Sequence, residues 1–385
     1  MRIINLAENT EGAAGCGFEH GLCFYIETEH HKLLMDTGQS DLFIKNAEKL
    51  GVDLTKVDTV VLSHGHYDHG GGILPFAEIN PDAKIYVQAS AFGEYYSIDS
   101  KGQPHYIGLA EGIRELPQIV VVGSKPDSAE KEDAQSEVDT EGSFEDGIYR
   151  IDDELSLFTG IGNEHPIPSA NQRLMKKTEE DMVQDDFAHE QCLVIHEGTK
   201  SVLLSGCAHH GILNILDRYR ELYGGDPDVV ISGFHMMKRH GYSDADITMI
   251  IDTALELRKL RTVFYTGHCT GVEPYNAMKK LMGDKLHYVH SGDEIRIRTK
   301  LERILWKVVD REPEVDLAYR EAHRADEAQQ EAKAVRKQND HAAKAANRKR
   351  SAYMKCHKFF AWATVACFVM TMVTGYKRKL DALYE

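Results

Sequence analysis

The chain is predicted to be an α/β protein with a C-terminal helical extension, and three observations carry that reading. Over residues 1–299, short β-rich runs alternate with helical patterns and glycine turns, the mixture expected where helices pack outside sheets. No period of about 20–50 residues repeats, which excludes solenoids and propellers. Over 312–350 the composition turns to Ala, Glu, Gln, Lys and Arg, with no glycine and only Pro313 near its start, and this suits a long solvated helix.

The elements follow in order. Residues 22–27 and 32–35 pair as a hairpin. A helix over 41–50 has Ser40 as its N-cap candidate and Gly51 just past its end. Asp-Thr-Val-Val-Leu at 58–62 is a short buried strand. Later strands are expected at 119–122, 155–159, 192–196, 202–205, 229–232, 263–266 and 294–298, and helices at 212–222, 244–260 and 274–281. Residues 124–147 contain nine acidic and two basic side chains with almost nothing apolar, a composition that cannot support a core and predicts a flexible surface insertion.

Charge divides the chain. With 42% apolar and 28% charged residues it is an ordinary globular protein overall. Residues 1–302 carry a balance of −22, however, and 303–385 a balance of +6. An acidic body argues against nucleic acid as its partner, because neutralising phosphates needs a positive face. Seven cysteines, an odd number without a Cys-x-x-Cys pair, suit a reducing cytoplasm, and the N-terminus turns polar too soon for a signal peptide. Near the other end, 359–376 is eighteen residues without a charge, flanked by Lys355, Lys358, Lys377, Arg378 and Lys379. About 17–25 apolar residues span a bilayer. The expectation is therefore a catalytic body at 1–299, a charged stalk at 300–352 and a transmembrane anchor at 353–385. The basic excess before the segment leaves the body in the cytoplasm, with the membrane as a partner.

The chemistry lies after the 58–62 strand, in Ser63-His64-Gly65-His66-Tyr67-Asp68-His69-Gly70-Gly71-Gly72. Imidazole and carboxylate together suit zinc, iron or manganese. On an extended exit His64 and His66 point the same way and can share one ion. As the chain turns, Asp68 and His69 can face a second. Asp36 ends an apolar strand, where its carboxylate can orient a ligating histidine by accepting the other ring N–H.

This His-x-His-x-Asp-His run, with Leu33-Leu34-Met35-Asp36-Thr37-Gly38 before it, resembles the metallo-β-lactamase superfamily. Glu19-His20-Gly21-Leu22, the Gly206–Ile212 run Gly-Cys-Ala-His-His-Gly-Ile, Gly233-Phe234-His235 and Gly267-His268-Cys269-Thr270-Gly271 resemble one branch of it. That branch includes the archaeal 7,8-dihydropterin-6-ylmethyl-4-(β-D-ribofuranosyl)aminobenzene-5′-phosphate synthase and bacterial metallo-hydrolases. The resemblance covers 1–299 and implies an αββα sandwich with two divalent ions, zinc first and manganese or iron otherwise. It places His64 and His66 on the first ion, and Asp68, His69 and His268 on the second. The family's usual bridging aspartate is missing at Gly206-Cys207, so Cys207, His209 or both complete the centre. His189 sits where the family has its third first-ion histidine. His235, His20 and His165 are candidates for the pocket or for substrate contact. His66 and Asp68 are the catalytic candidates.

The implied activity is metal-dependent hydrolysis of an ester, amide or phosphoester in a small molecule, by a water acidified to a pKa of about 7 at a dinuclear site. The alternatives are a pterin-related transferase forming a C–N bond and a di-iron redox protein.

Overall fold

The computed structural model describes residues 1–12, 15–123, 144–145, 147–239 and 241–297, which belong to one unit, Met1–Leu301. Two large sheets lie face to face. The N-terminal sheet has seven strands in the order Glu294–Arg296, Arg2–Ala7, Cys23–Glu27, Lys32–Met35, Thr59–Val61, Lys84–Gln88 and Ile119–Val122. The C-terminal sheet has eight, in the order Leu286–Tyr288, Val263–Thr266, Val229–Ser232, Lys200–Ser205, Cys192–Glu197, Leu155–Phe158, Ile148–Arg150 and Phe144–Glu145. The 22–27/32–35 hairpin is antiparallel, with Phe24 opposite Met35 and Ile26 opposite Leu33.

Strand alternation explains the layering. Successive side chains point to opposite faces. Leu33 and Met35 therefore enter the layer between the sheets, with Leu155, Leu157, Val202 and Leu204 from the other side. Leu34 and Val60 point the other way, against Phe43, Ala47 and Phe76 of the outer helices Leu42–Leu50 and Ile73–Ile79. On the far side, Val194, Leu203, Val230 and Phe264 meet Ile215, Leu216, Ile250, Ala254 and Met278 of three further helices. Three apolar layers separate four structural ones, which is the expected αββα sandwich. Both faces of each sheet are buried, and this is why runs such as Val229–Ser232 read as continuously apolar.

Helix ends follow local chemistry. Gly51 closes Leu42–Leu50 in the left-handed region at φ 69°, the conformation glycine adopts at least cost. Ser243 and Asp246 form a reciprocal capping box at the start of Asp244–Lys259. A third sheet of four strands, Met182–Gln184, Leu174–Lys177, Glu94–Ile98 and Pro104–Tyr106, has no counterpart in the sequence reading. Its strands mix charged and tyrosyl residues and are largely exposed or half-buried, so they lack the apolar runs that betray strands such as Val229–Ser232. Arg2–Ala7, Lys84–Gln88, Ile148–Arg150 and Leu286–Tyr288 of the large sheets were not expected either.

The expected membrane anchor is corrected. Among the described residues no helix is long and apolar enough to cross a membrane. The longest, Asp244–Lys259, has 16 residues and ends in Arg258 and Lys259, where a span takes about 20 apolar residues. The stalk at 300–352, the segment at 353–385, most of the acidic insertion and His240 lie outside the described residues. Neither a membrane partner nor a membrane-anchored location is retained.

Candidate metal centre

One edge of the sandwich gathers the chemistry. From the strand Thr59–Val61 the chain runs to His66, extended at φ −106° and ψ 148°, and then into the one-turn helix Tyr67–Gly70. In the other sheet the parallel strands Lys200–Ser205, Val229–Ser232 and Val263–Thr266 end before Gly206, Gly233 and Gly267. The turns that follow carry Cys207 and His209, His235, and His268. The carboxyl ends of parallel strands are where such folds place their sites. A Cβ on Gly206 would run into Ser63 Oγ, so glycine lets this turn approach the histidine loop. Asp36, Ala208, His235 and His268 hold φ between 47° and 62°, a strain of about 1–3 kcal/mol each.

Two groups form. In the first, His64 Nε2 and His209 Nε2 face each other at 3.3 Å. The His66 ring lies 4.6 Å from that of His64 and 5.0 Å from that of His209. His66 Nε2 is buried and has no hydrogen-bond partner. In the second, His69 Nε2 lies 3.2 Å from both His268 Nε2 and Cys207 Sγ. Asp68 Oδ2 approaches His268 Nε2 at 3.5 Å and His69 Nε2 at 3.8 Å. Cys207 belongs to both groups, since it also falls within 4.8 Å of the ligand atoms of His64 and His209.

The partners of the second ring nitrogens determine what the first ones offer. His69 Nδ1 donates to Asp36 Oδ2 at 2.6 Å, His209 Nδ1 to Asn171 Oδ1 at 2.9 Å and His268 Nδ1 to Asn9 Oδ1 at 2.8 Å. Ser63 Oγ donates to Asp36 Oδ2 and so accepts from His64 Nδ1, each at 2.8 Å. In these tautomers all four Nε2 atoms carry lone pairs, aimed at each other in pairs at 3.2–3.3 Å. Such lone pairs repel unless a cation lies between them; without a metal, the His69–His268 pair is relieved by the second proton that Asp36 and Asp68 hold on His69. This donor set and the orphaned His66 Nε2 fit two divalent ions.

Electrostatics separates the groups. Burial, reinforced by neighbouring imidazoles, holds His64, His66 and His209 well below the ordinary histidine pKa, so they remain neutral donors. Burial also opposes charge on His69, but Asp36 and Asp68 outweigh it and push its pKa up to about 9. Asp68 is buried too, yet His69, His268 and His20 hold it well below the usual carboxylate range.

The other expected residues are placed differently. His189 has both nitrogens engaged: Gly65 N–H donates to Nδ1 at 3.0 Å, and Nε2 meets Asp185 Oδ2 at 3.1 Å. It braces the His64–His66 loop, and its ligand atom also lies within 4.8 Å of those of His66 and Asp185, a third grouping that could hold an ion. His20 stands at the rim, 3.4 Å from Asp68 Oδ2 with 41% of its side chain exposed. The His235 ring lies 4.2 Å from that of His209. His165 pairs with Asp217 at 2.8 Å and touches none of the clustered histidines.

Sequence reasoning missed Asn9, Asn171, Asp185, Glu8 and Glu190. Glu190 is buried and accepts from the backbone N–H of His209 and His210 and from His210 Nδ1. Glu8 accepts from the N–H of His268 at 3.0 Å. Asn9, Asn171, Glu8 and Glu190 stand far along the chain from the residues they serve, so no local spacing marks them, whereas Asp185 lies only four residues before His189. Ser63 alone was signalled, by adjacency to His64.

Comparison with known proteins gives a consistent result. A family model described as the metallo-beta-lactamase superfamily matches residues 16–246. The chain is 25% identical over 322 residues to a Methanocaldococcus jannaschii protein named 7,8-dihydropterin-6-methyl-4-(beta-D-ribofuranosyl)-aminobenzene-5'-phosphate synthase, covering 77% of this chain and 96% of that one. It is 25% identical over 280 residues to an uncharacterized protein of the same organism, covering 72% and 94%. Among solved structures it is similar to Tm1679, a metal-dependent hydrolase of the beta-lactamase superfamily, with a TM-score of 0.61 and 25% identity over 78% of this chain and 100% of that one.

Proposed function

The chain belongs to the metallo-β-lactamase superfamily, and on that premise we propose that it is a metal-dependent hydrolase with a two-ion centre, zinc in the first instance, acting on an ester, amide or phosphoester of a small molecule. The observation that carries this reading is the pairwise convergence of four Nε2 lone pairs beside a buried ionised Asp68. His64, His66 and His209 would hold the first ion, and Asp68, His69, His268 and the Cys207 thiolate the second. What bound ions supply is Lewis acidity, which acidifies water and balances negative charge on the substrate.

The protein's own groups position and move protons. Asp68 Oδ2 orients the attacking water and accepts its proton. His20, 3.4 Å away and open to solvent, relays that proton outward. Asp36 and Asn171 keep the rings of His69 and His209 turned inward. A second reading is a pterin-related transferase forming a C–N bond, favoured by the 25% identity to the synthase over nearly that protein's whole length.

The test is to load the full chain with zinc or manganese and offer phosphodiester, ester, amide and dihydropterin substrates, with metal quantified in parallel. Hydrolysis that needs metal and disappears in Asp68→Ala is the expected result. Joining of a pterin without hydrolysis selects the second reading. No turnover of any substrate by the metal-loaded chain sinks both.

A further inference from the structure

Three strand-end turns meet beside the two-ion centre, and two of the side chains they bring there take no part in the proposed hydrolysis. Cys207 follows the strand Lys200–Ser205, His235 follows Val229–Ser232 and Cys269 follows Val263–Thr266. The two sulfurs and a ring nitrogen of His235 lie within 4.8 Å of one another. Both thiols are free and buried, at 2% and 4% exposure. His235 Nδ1 is buried and has no hydrogen-bond partner, an orphan that native structures rarely leave without a ligand or water. Gly233 makes room for the group, because a Cβ there would run into Cys269 Sγ. His235, Ala208 and His268 are all held at positive φ, so the three turns share one uncommon backbone conformation around this point.

We propose that Cys207, Cys269 and His235 form a further zinc site, distinct from the two-ion centre but sharing Cys207 with it, whose role is to tie the three turns together. Two thiolates and an imidazole are zinc donors that fill three positions of a tetrahedral ion and leave the fourth to water. With Zn–S near 2.3 Å and Zn–N near 2.1 Å, donors around a tetrahedral ion sit about 3.5–3.8 Å apart. The observed spread of up to 4.8 Å closes on an ion with side-chain movements of about 1 Å. With Cys207 already a thiolate in the loaded two-ion centre, zinc replaces only the proton of Cys269, which passes to solvent. Cys207 Sγ is already 3.2 Å from His69 Nε2, so its sulfur bridges the new site and the second ion. The inference rests on the two-ion reading only through this shared sulfur, since Cys269 and His235 have no part in the proposed hydrolysis.

The experiment measures zinc per chain in the full-length protein purified in zinc, together with thiolate-to-metal charge-transfer absorption after cobalt exchange. The native chain should hold about three ions, and Cys269→Ser about two with weakened thiolate absorption. His66→Ala/Asp68→Ala should lose hydrolytic ions while keeping the thiolate band. If Cys269→Ser does not fold, His235→Ala tests the same loss of one ion. Equal zinc content in native and Cys269→Ser proteins, or a Cys207–Cys269 disulfide in the isolated chain, overturns the proposal. A native chain that holds the thiolate-bound ion yet turns over no substrate refutes only the activity reading.

Discussion

His64, His66 and His209 face one another as imidazoles kept neutral by burial, whereas Asp68, His69, Cys207 and His268 combine a buried carboxylate, a thiol and a histidine pushed towards its charged form. The supports differ in the same way. The first group is oriented by neutral donors and acceptors, Ser63 and Asn171, and the second by the ionisable Asp36 as well as Asn9. One half of the centre thus offers lone pairs without charge, and the other offers charge. A cation held between anions is bound more tightly where water is scarce. Position and charge balance are divided between the two ions.

The largest expected effect tests that division directly. Asp68→Asn keeps the shape and removes the charge, and turnover should fall on the order of 10²–10⁴-fold. A fall of less than tenfold would remove Asp68 as the proton acceptor. Next come the supports: Asp36→Asn and Asn171→Ala should each weaken zinc binding about 10–100-fold, but in different steps of a titration. If both variants disturb the same step, the two groups are not separate sites.

The pH dependence of the metal-free protein is a smaller effect with two opposite arms. His69 has a raised pKa, so its contribution is complete below the unfolded value of about 6.5 and is lost as pH rises through about 9. His64, His66 and His209 are lowered by burial and then by their neighbours. The unfolded chain gains protons there that the folded one refuses, so stability is lost as pH falls below about 6.5. Urea unfolding should therefore show a higher midpoint near pH 6.5 than at either 5.5 or 9. A midpoint that rises steadily to pH 9 would contradict the raised His69. The smallest effect is at His165, which pairs with Asp217 away from both groups. His165→Ala should leave zinc content unchanged and stability within about 0.5 kcal/mol.

What the sequence revealed depended on how local the signal was. The His64–His69 run, its strand exit and Gly51 after its helix are written within a few residues of each other, and their elements follow. The short apolar run at 58–62 marked a buried strand, and Thr59–Val61 is buried throughout. Asn9 and Asn171 carry no such mark, because each supports a histidine brought near only when the chain is folded. His189 was marked by the family resemblance, whereas its neighbours Asp185 and the Gly65 N–H, which meet its two nitrogens, were not. The small sheet escaped notice because its tyrosines and lysines serve a half-exposed surface rather than a core.

The clustered side chains come from both large sheets: His69 lies 138 residues before Cys207 and 199 before His268. The N-terminal half alone can offer only part of either ligand set. During synthesis the histidine loop emerges first, His209 follows the strand Lys200–Ser205, and His268 comes only after Val263–Thr266, so the second group is the last to be assembled. On the proposed two-ion reading, an ion held by the second group would act as a latch that closes only once the two halves have met.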